Sequence, residues 1–143
     1  MSDNSMVIRN ATIVDGTGGD PFEGDVFIKD GIIQEVGNIS NDCDKQIDAK
    51  GLILSPGFID IHTHFDPQLC WDGYATPSIE QGVTTVVTGN CSLSLAPIRN
   101  GGENKIISMF QVIEDIKKPT FEEAVPFSWE SFGEYLDLSL IHI

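Results

Sequence analysis

"SPGFIDIHTHFDP", residues 55–67, opens on a turn-forming Pro-Gly pair and closes an apolar run with two histidines one residue apart. In an extended strand, residues two apart share a face, so Asp60, His62 and His64 project together while Ile59, Ile61 and Thr63 project opposite. The isoleucines predict an apolar layer on their side. The other face carries three ionisable groups, and burying a polar group without a partner costs roughly 2–7 kcal/mol. A divalent cation removes that cost, because neutral imidazole is the commonest protein ligand for a metal. The stretch predicts a strand that ends in a metal site.

Downstream, "VTTVVTGNC" (83–91) is a second, mostly apolar run of the kind parallel sheets bury. Alternation places Thr85, Val87, Gly89 and Cys91 on one face. Cys91 then arrives at the strand's C-terminal end, where parallel α/β folds build their active sites. A thiolate beside imidazoles suits zinc, and the metal would hold the thiol deprotonated. Between the two strands, "TPSIEQG" (76–82) predicts a short helix with Thr76 as cap, Pro77 at the first helical position and Gly82 as stop. Strand, helix and strand form the repeating unit of α/β folds. Cys70, in "PQLCWDG", has no partner at ligand spacing and is expected to pack. Cys43, in the polar turn "SNDCDK", is expected to be exposed.

Upstream, "VIRNATIV" (7–14) is β-branched, and "GDVFIKDGIIQEVG" (24–37) holds two apolar runs separated by Asp30-Gly31. Asp-Gly between such runs signals a hairpin, since a type I′ turn needs positive φ at both central positions. With "LILS" (52–55), residues 1–55 predict a small antiparallel β module. Downstream, "IISMFQVIEDIKK" has helical apolar spacing at Ile106, Met109, Phe110 and Ile113. "SWESFGEYLD" has Ser128 as its cap and Trp129, Phe132 and Leu136 along one face, and these aromatics are read as core.

The 143 residues are 41% apolar and 21% charged, the balance of a globular protein. Acidic residues outnumber basic ones 22 to 8, and a net charge of −14 leaves no basic surface for nucleic acid or an anionic membrane. "MSDNSMVIRN" lacks the basic start and apolar core of a signal peptide, and no run approaches the ~20 apolar residues of a membrane helix. Three cysteines without framework spacing exclude a disulfide scaffold, so the expected compartment is the cytoplasm.

These motifs match a known family. "SPGFIDIHTHFD" resembles the first barrel strand of the amidohydrolase superfamily, whose metal-dependent hydrolases carry His-x-His there. "EQGVTTVVTGNCSLSLAPI" (80–98) is similar to its D-aminoacylase branch, the N-acyl-D-amino-acid deacylases, as are residues 7–37 and "WESFGEYLD". In that branch a Cys ending the second strand ligates zinc in place of the carboxylated lysine of many relatives. The resemblance implies an α/β fold: a (β/α)8 TIM barrel beginning over residues 56–137, after half of a composite β-sandwich over residues 1–55. It implies zinc on His62, His64 and Cys91, with two further histidines and an acid/base aspartate on later strands. A barrel needs roughly 250 residues, so the expectation is an N-terminal fragment, inactive alone. The parent enzyme would hydrolyse the amide bond of N-acyl-D-amino acids or similar linear amides with a metal-activated water.

Asp66 is read as a loop or capping residue and not as the proton shuttle. Ser92 stands where the branch more often has Gly, which bears on substrate preference. A cyclic-amide hydrolase of the hydantoinase or dihydroorotase type is the alternative, disfavoured by Cys91. A non-catalytic scaffold is another, disfavoured by the retained ligands. "LSLIHI" (138–143) is compatible with a translated sequencing adapter, so His142 is not offered as a ligand.

Overall fold

The computed structural model describes residues 4–40, 43 and 45–140, apart from the side chains of Ser139 and Leu140. They form two compact units divided between Pro56 and Gly57.

The first unit is one five-stranded sheet: β1 (Ser5–Ile13), β2 (Phe22–Lys29), β3 (Ile32–Gly37), β4 (Lys45–Asp48) and β5 (Ile53–Leu54). Asp30 and Gly31 turn β2 into β3 with φ of 52° and 76°, both positive as the hairpin signal requires. The strand order is β3-β2-β1-β4, with β5 also pairing β1. The sheet is mixed and not antiparallel throughout. Val7 pairs Gln46 and Ile13 pairs Leu54, both in parallel register. After β3, which already runs with β1, the chain crosses to the far edge of β1 and continues in the same direction. The β4 sequence "KQID" is exposed along its whole length, so no apolar alternation announces it. Ala11, Ile13, Val26 and Ala49 form the core of this sheet.

The second unit begins with β6 (Phe58–Thr63) and β7 (Val83–Thr88), which pair in parallel. Gly57 is needed at the entry, because a Cβ there would lie 2.1 Å from the Thr84 hydroxyl oxygen. The segment between the strands holds 3-10 turns at Gln68–Cys70 and Ile79–Gln81. Thr76 caps nothing: its N–H and hydroxyl both donate to Asp72, at 2.7 and 2.5 Å. The turn starts after Ser78 and stops at Gly82, whose φ is 87°. The helices are α1 (Glu103–Ile113), α2 (Lys118–Ala124) and α3 (Phe132–Leu140).

Leu93, Leu95, Ile107, Phe110, Phe121, Trp129 and Tyr135 make the core of this unit. The buried line of α1 is therefore Ile107 and Phe110 with Ile106 beside it, while Met109 and Ile113 lie open. Apolar spacing alone permits both stripes, and the loop carrying Leu93 and Leu95 selects one. At α3 the cap is Ser131, not Ser128. Glu134 accepts from the Ser131 N–H at 2.8 Å, and the Ser131 hydroxyl accepts from the Glu134 N–H at 3.3 Å, a reciprocal capping box. The aromatic buried on α3 is Tyr135, whereas Phe132 and Leu136 are partly open. Ile59 and Ile61, expected in an apolar layer, are 63% and 65% exposed, since no described helix covers that face. The boundary expected after Asp137 falls within α3, and residues 141–143, with His142, lie outside the described residues.

Candidate metal centre

Thr63, the last residue of β6, is buried and donates its hydroxyl to the Val87 carbonyl at 3.1 Å. That bond holds the end of β6 against β7 and aims the flanking His62 and His64 from one strand end. On the other side, β7 stops at Thr88 and Gly89 turns the chain with φ of 74°. The Ser92 N–H closes the turn on the Gly89 carbonyl at 3.0 Å, and the Asn90 amide donates to the Ile61 carbonyl at 2.8 Å. Cys91 thus reaches the site from a turn rather than from strand alternation.

One metal-binding atom from each of His62, His64 and Cys91 lies within 4.8 Å of the other two. His64 Nε2 is 2.9 Å from Cys91 Sγ. Tetrahedral zinc with ordinary Zn–N and Zn–S bonds separates its ligands by about 3.5 Å, so this donor set fits a zinc ion after a small opening of the His64–Cys91 contact. The His62 and His64 rings meet edge to face, 5.4 Å between centroids. Asp60 is not in the cluster: it accepts the N–H of His62 at 3.1 Å.

The far nitrogen of His64, Nδ1, contacts the carboxylate of Glu114 just past α1. This contact is the largest reason why the pKa of His64 is raised, with Cys91 adding to it and burial opposing. The pKa of Cys91 is lowered, first by the Leu93 amide and then by His64, while burial opposes the shift. Sequence reasoning missed Glu114. A carboxylate at a helix C-terminus opposes the helix dipole, and that misfit was the one available signal.

Asp66, expected in a loop or cap, is wholly buried. Its Oδ1 accepts the Leu95 N–H at 3.2 Å and contacts the Ser94 hydroxyl at 3.0 Å. Its carbonyl accepts the Tyr135 hydroxyl at 3.0 Å, and its Oδ2 has no partner. Burial raises its pKa, while the Leu95 and Ser94 bonds pull it back. Cys70 packs half-buried nearby, pushed up to about 11 by burial. Cys43 is half-buried too, not exposed, with its thiol 3.3 Å from the Lys45 carbonyl. A cleft of about 600 Å³ beside the histidines is lined by Gln68, Trp71, Glu114 and Ile116 among others. No described helix is long and apolar enough to cross a membrane.

The chain is 46% identical over 94 residues to an N-acyl-D-aspartate deacylase of Alcaligenes xylosoxydans xylosoxydans, covering 65% of the chain and 19% of the relative. The crystal structure of a D-aminoacylase superposes with a TM-score of 0.72 at 34% identity, over 95% of this chain and 26% of that one. An N-acyl-D-glutamate deacylase from Bordetella bronchiseptica, solved with zinc and a phosphonate inhibitor, gives 0.53 at 38% identity, over 64% and 20%. The chain thus spans about a fifth to a quarter of the length of these proteins, and its α/β unit is an incomplete amidohydrolase barrel. Residues 45–138 match the profile of the amidohydrolase family, and the chain belongs to that family.

Proposed function

We propose that this chain supplies the opening strands and first metal ligands of a zinc-dependent hydrolase that cleaves the amide bond of N-acyl-D-amino acids. The observation that carries the proposal is the convergence of His62, His64 and Cys91 within 4.8 Å at the C-terminal ends of two parallel strands. The similarity to deacylases of N-acyl-D-aspartate and N-acyl-D-glutamate supports the substrate class, and the zinc in the latter supports the metal.

His62 and His64 would hold the ion through imidazole nitrogens and Cys91 through its thiolate. Glu114 accepts the Nδ1 proton of His64, which fixes the tautomer and leaves Nε2 free toward the site. Bound zinc supplies Lewis acidity and lowers the pKa of water toward about 7. The open cleft with Trp71 and Ile116 leaves room beside the ligands for a small acylated amino acid. Asp66 is sealed in the core and Glu114 is engaged with His64, so the proton carrier for the leaving amine would come from another part of the protein. Free thiols at Cys43, Cys70 and Cys91 suit a reducing cytoplasm.

The test is zinc content and turnover of the full-length protein carrying this chain. We expect bound zinc that Cys91→Ala and His62→Ala diminish, together with hydrolysis of N-acetyl-D-amino acids in preference to hydantoins. Zinc content indifferent to both substitutions, or turnover of hydantoins alone, would overturn the proposal.

A further inference from the structure

Asp66 sits two residues after His64, and its carboxylate contacts Ser94 and Leu95, three and four residues after Cys91. It therefore spans from the segment leaving β6 to the segment leaving β7, on the side of each that carries a ligand. Both ends of this bridge are anchored in the core. Tyr135 donates to the Asp66 carbonyl, and Trp129 Nε1 donates to the Leu95 carbonyl at 3.0 Å. A wholly buried carboxylate with one oxygen unpartnered is costly for a protein to keep. Two apolar residues of similar volume would fill the space without that cost, so packing alone does not account for it.

We infer that Asp66 is a positioning residue for the metal centre, whose carboxylate ties the loop after His64 to the loop after Cys91 and so sets the approach of these two ligands. The inference rests on the metal-site reading above. Without the tie, Ser94 and Leu95 lose their shared acceptor, and the links left between the two segments are the Thr63 and Asn90 bonds at the strand ends and the His64–Cys91 contact itself. Zinc would then have to gather His64 and Cys91 from a wider range of separations, and affinity would fall.

The experiment compares wild type, Asp66→Ala, Asp66→Asn and Ser94→Ala on the full chain. Cobalt(II) is titrated with readout of the thiolate-to-cobalt charge-transfer and d–d bands, and the nuclear Overhauser contact between the His64 ring and the Cys91 β-protons is measured without metal. We expect Asp66→Ala to weaken cobalt binding about 10–100-fold, as loss of a supporting residue behind a metal ligand does, and to alter the bands and lose the His64–Cys91 contact. Asp66→Asn keeps an acceptor oxygen and should restore most of the affinity, and Ser94→Ala should fall between. If Asp66→Ala does not fold, the other two variants decide. Wild-type affinity, spectrum and ring-to-thiol contact in the folded variants overturn the inference. If wild type itself takes no cobalt, the metal reading fails, while the metal-free contact still decides whether Asp66 sets the pair.

Discussion

His64 and Cys91 stand 27 residues apart in the chain and 2.9 Å apart in space, imidazole Nε2 against thiol Sγ. The other nitrogen of the same ring meets Glu114, so one histidine is gripped by a carboxylate behind and a sulfur in front. The imidazole pKa is raised, first by Glu114 and then by Cys91, and the thiol pKa is lowered, first by the Leu93 amide and then by His64.

The first prediction concerns the thiols. The thiolate is the nucleophile, so at about pH 7.5 an alkylating reagent should modify Cys91 well before Cys70. Cys70 is half-buried with its pKa near 11, whereas Cys91 is exposed with its pKa lowered. Added zinc should protect Cys91 and leave Cys70 unaffected. Peptide mass spectrometry along a time course reads both, and equal rates would contradict the geometry.

Asp72 gives a pH window. It accepts from Thr76 and from the Gln68 and Tyr74 amides, and these bonds hold its pKa down at about 2, against 3.8 when free. A lowered folded-state pKa contributes stability above the unfolded value and loses it as pH falls through the folded value. The stability gap between wild type and Asp72→Asn should therefore be full above pH 4 and vanish toward pH 2. Denaturant melts at several pH values measure it, and a gap that widens on acidification would refute the assignment.

Ser92 occupies the left-handed region with φ of 69°. An L-residue there costs roughly 1–2 kcal/mol, partly offset by the roughly 0.4–1 kcal/mol that a non-glycine residue saves in the unfolded chain. Ser92→Gly should stabilise the protein by about 0.5 kcal/mol. The backbone thus gives a reason for glycine here that is independent of substrate preference. A lower melting temperature for Ser92→Gly would refute it.

Gly57→Ala should destabilise by about 1–3 kcal/mol, the usual cost of overpacking, because the new methyl meets the Thr84 side chain at 2.1 Å. Thr84→Gly in the same protein should recover most of the loss. An additive double mutant would show that the contact is not the cause.

Much of the candidate metal cluster was legible because its three residues obey local rules. His62 and His64 are fixed by their spacing at the close of an apolar run, and Cys91 by its place after another. Asp66 and Glu114 obey no such rule. An aspartate is seldom wholly buried, and the position of Glu114 depends on where α1 packs, which only Leu93, Leu95 and their neighbours decide. The same dependence misled the reading of α1 and α3, where two apolar stripes competed and tertiary contacts chose Ile107 and Tyr135. In the first sheet, the hairpin was legible from Asp30-Gly31, but parallel β4 has no apolar signature.

The open isoleucines of β6 have a practical side. Phe58, Ile59 and Ile61 stand more than 60% exposed on a short β-ribbon whose outer edges are unpaired among the described residues. Such a ribbon offers both hydrogen-bond templates and greasy surface to any copy it meets. Self-association through that ribbon is therefore the expected behaviour of this chain at high concentration, which light scattering over a dilution series checks. Charge replacements at Ile59 and Ile61, which alternate with Asp60 and His62 along β6, are the rational route to a well-behaved sample of this chain.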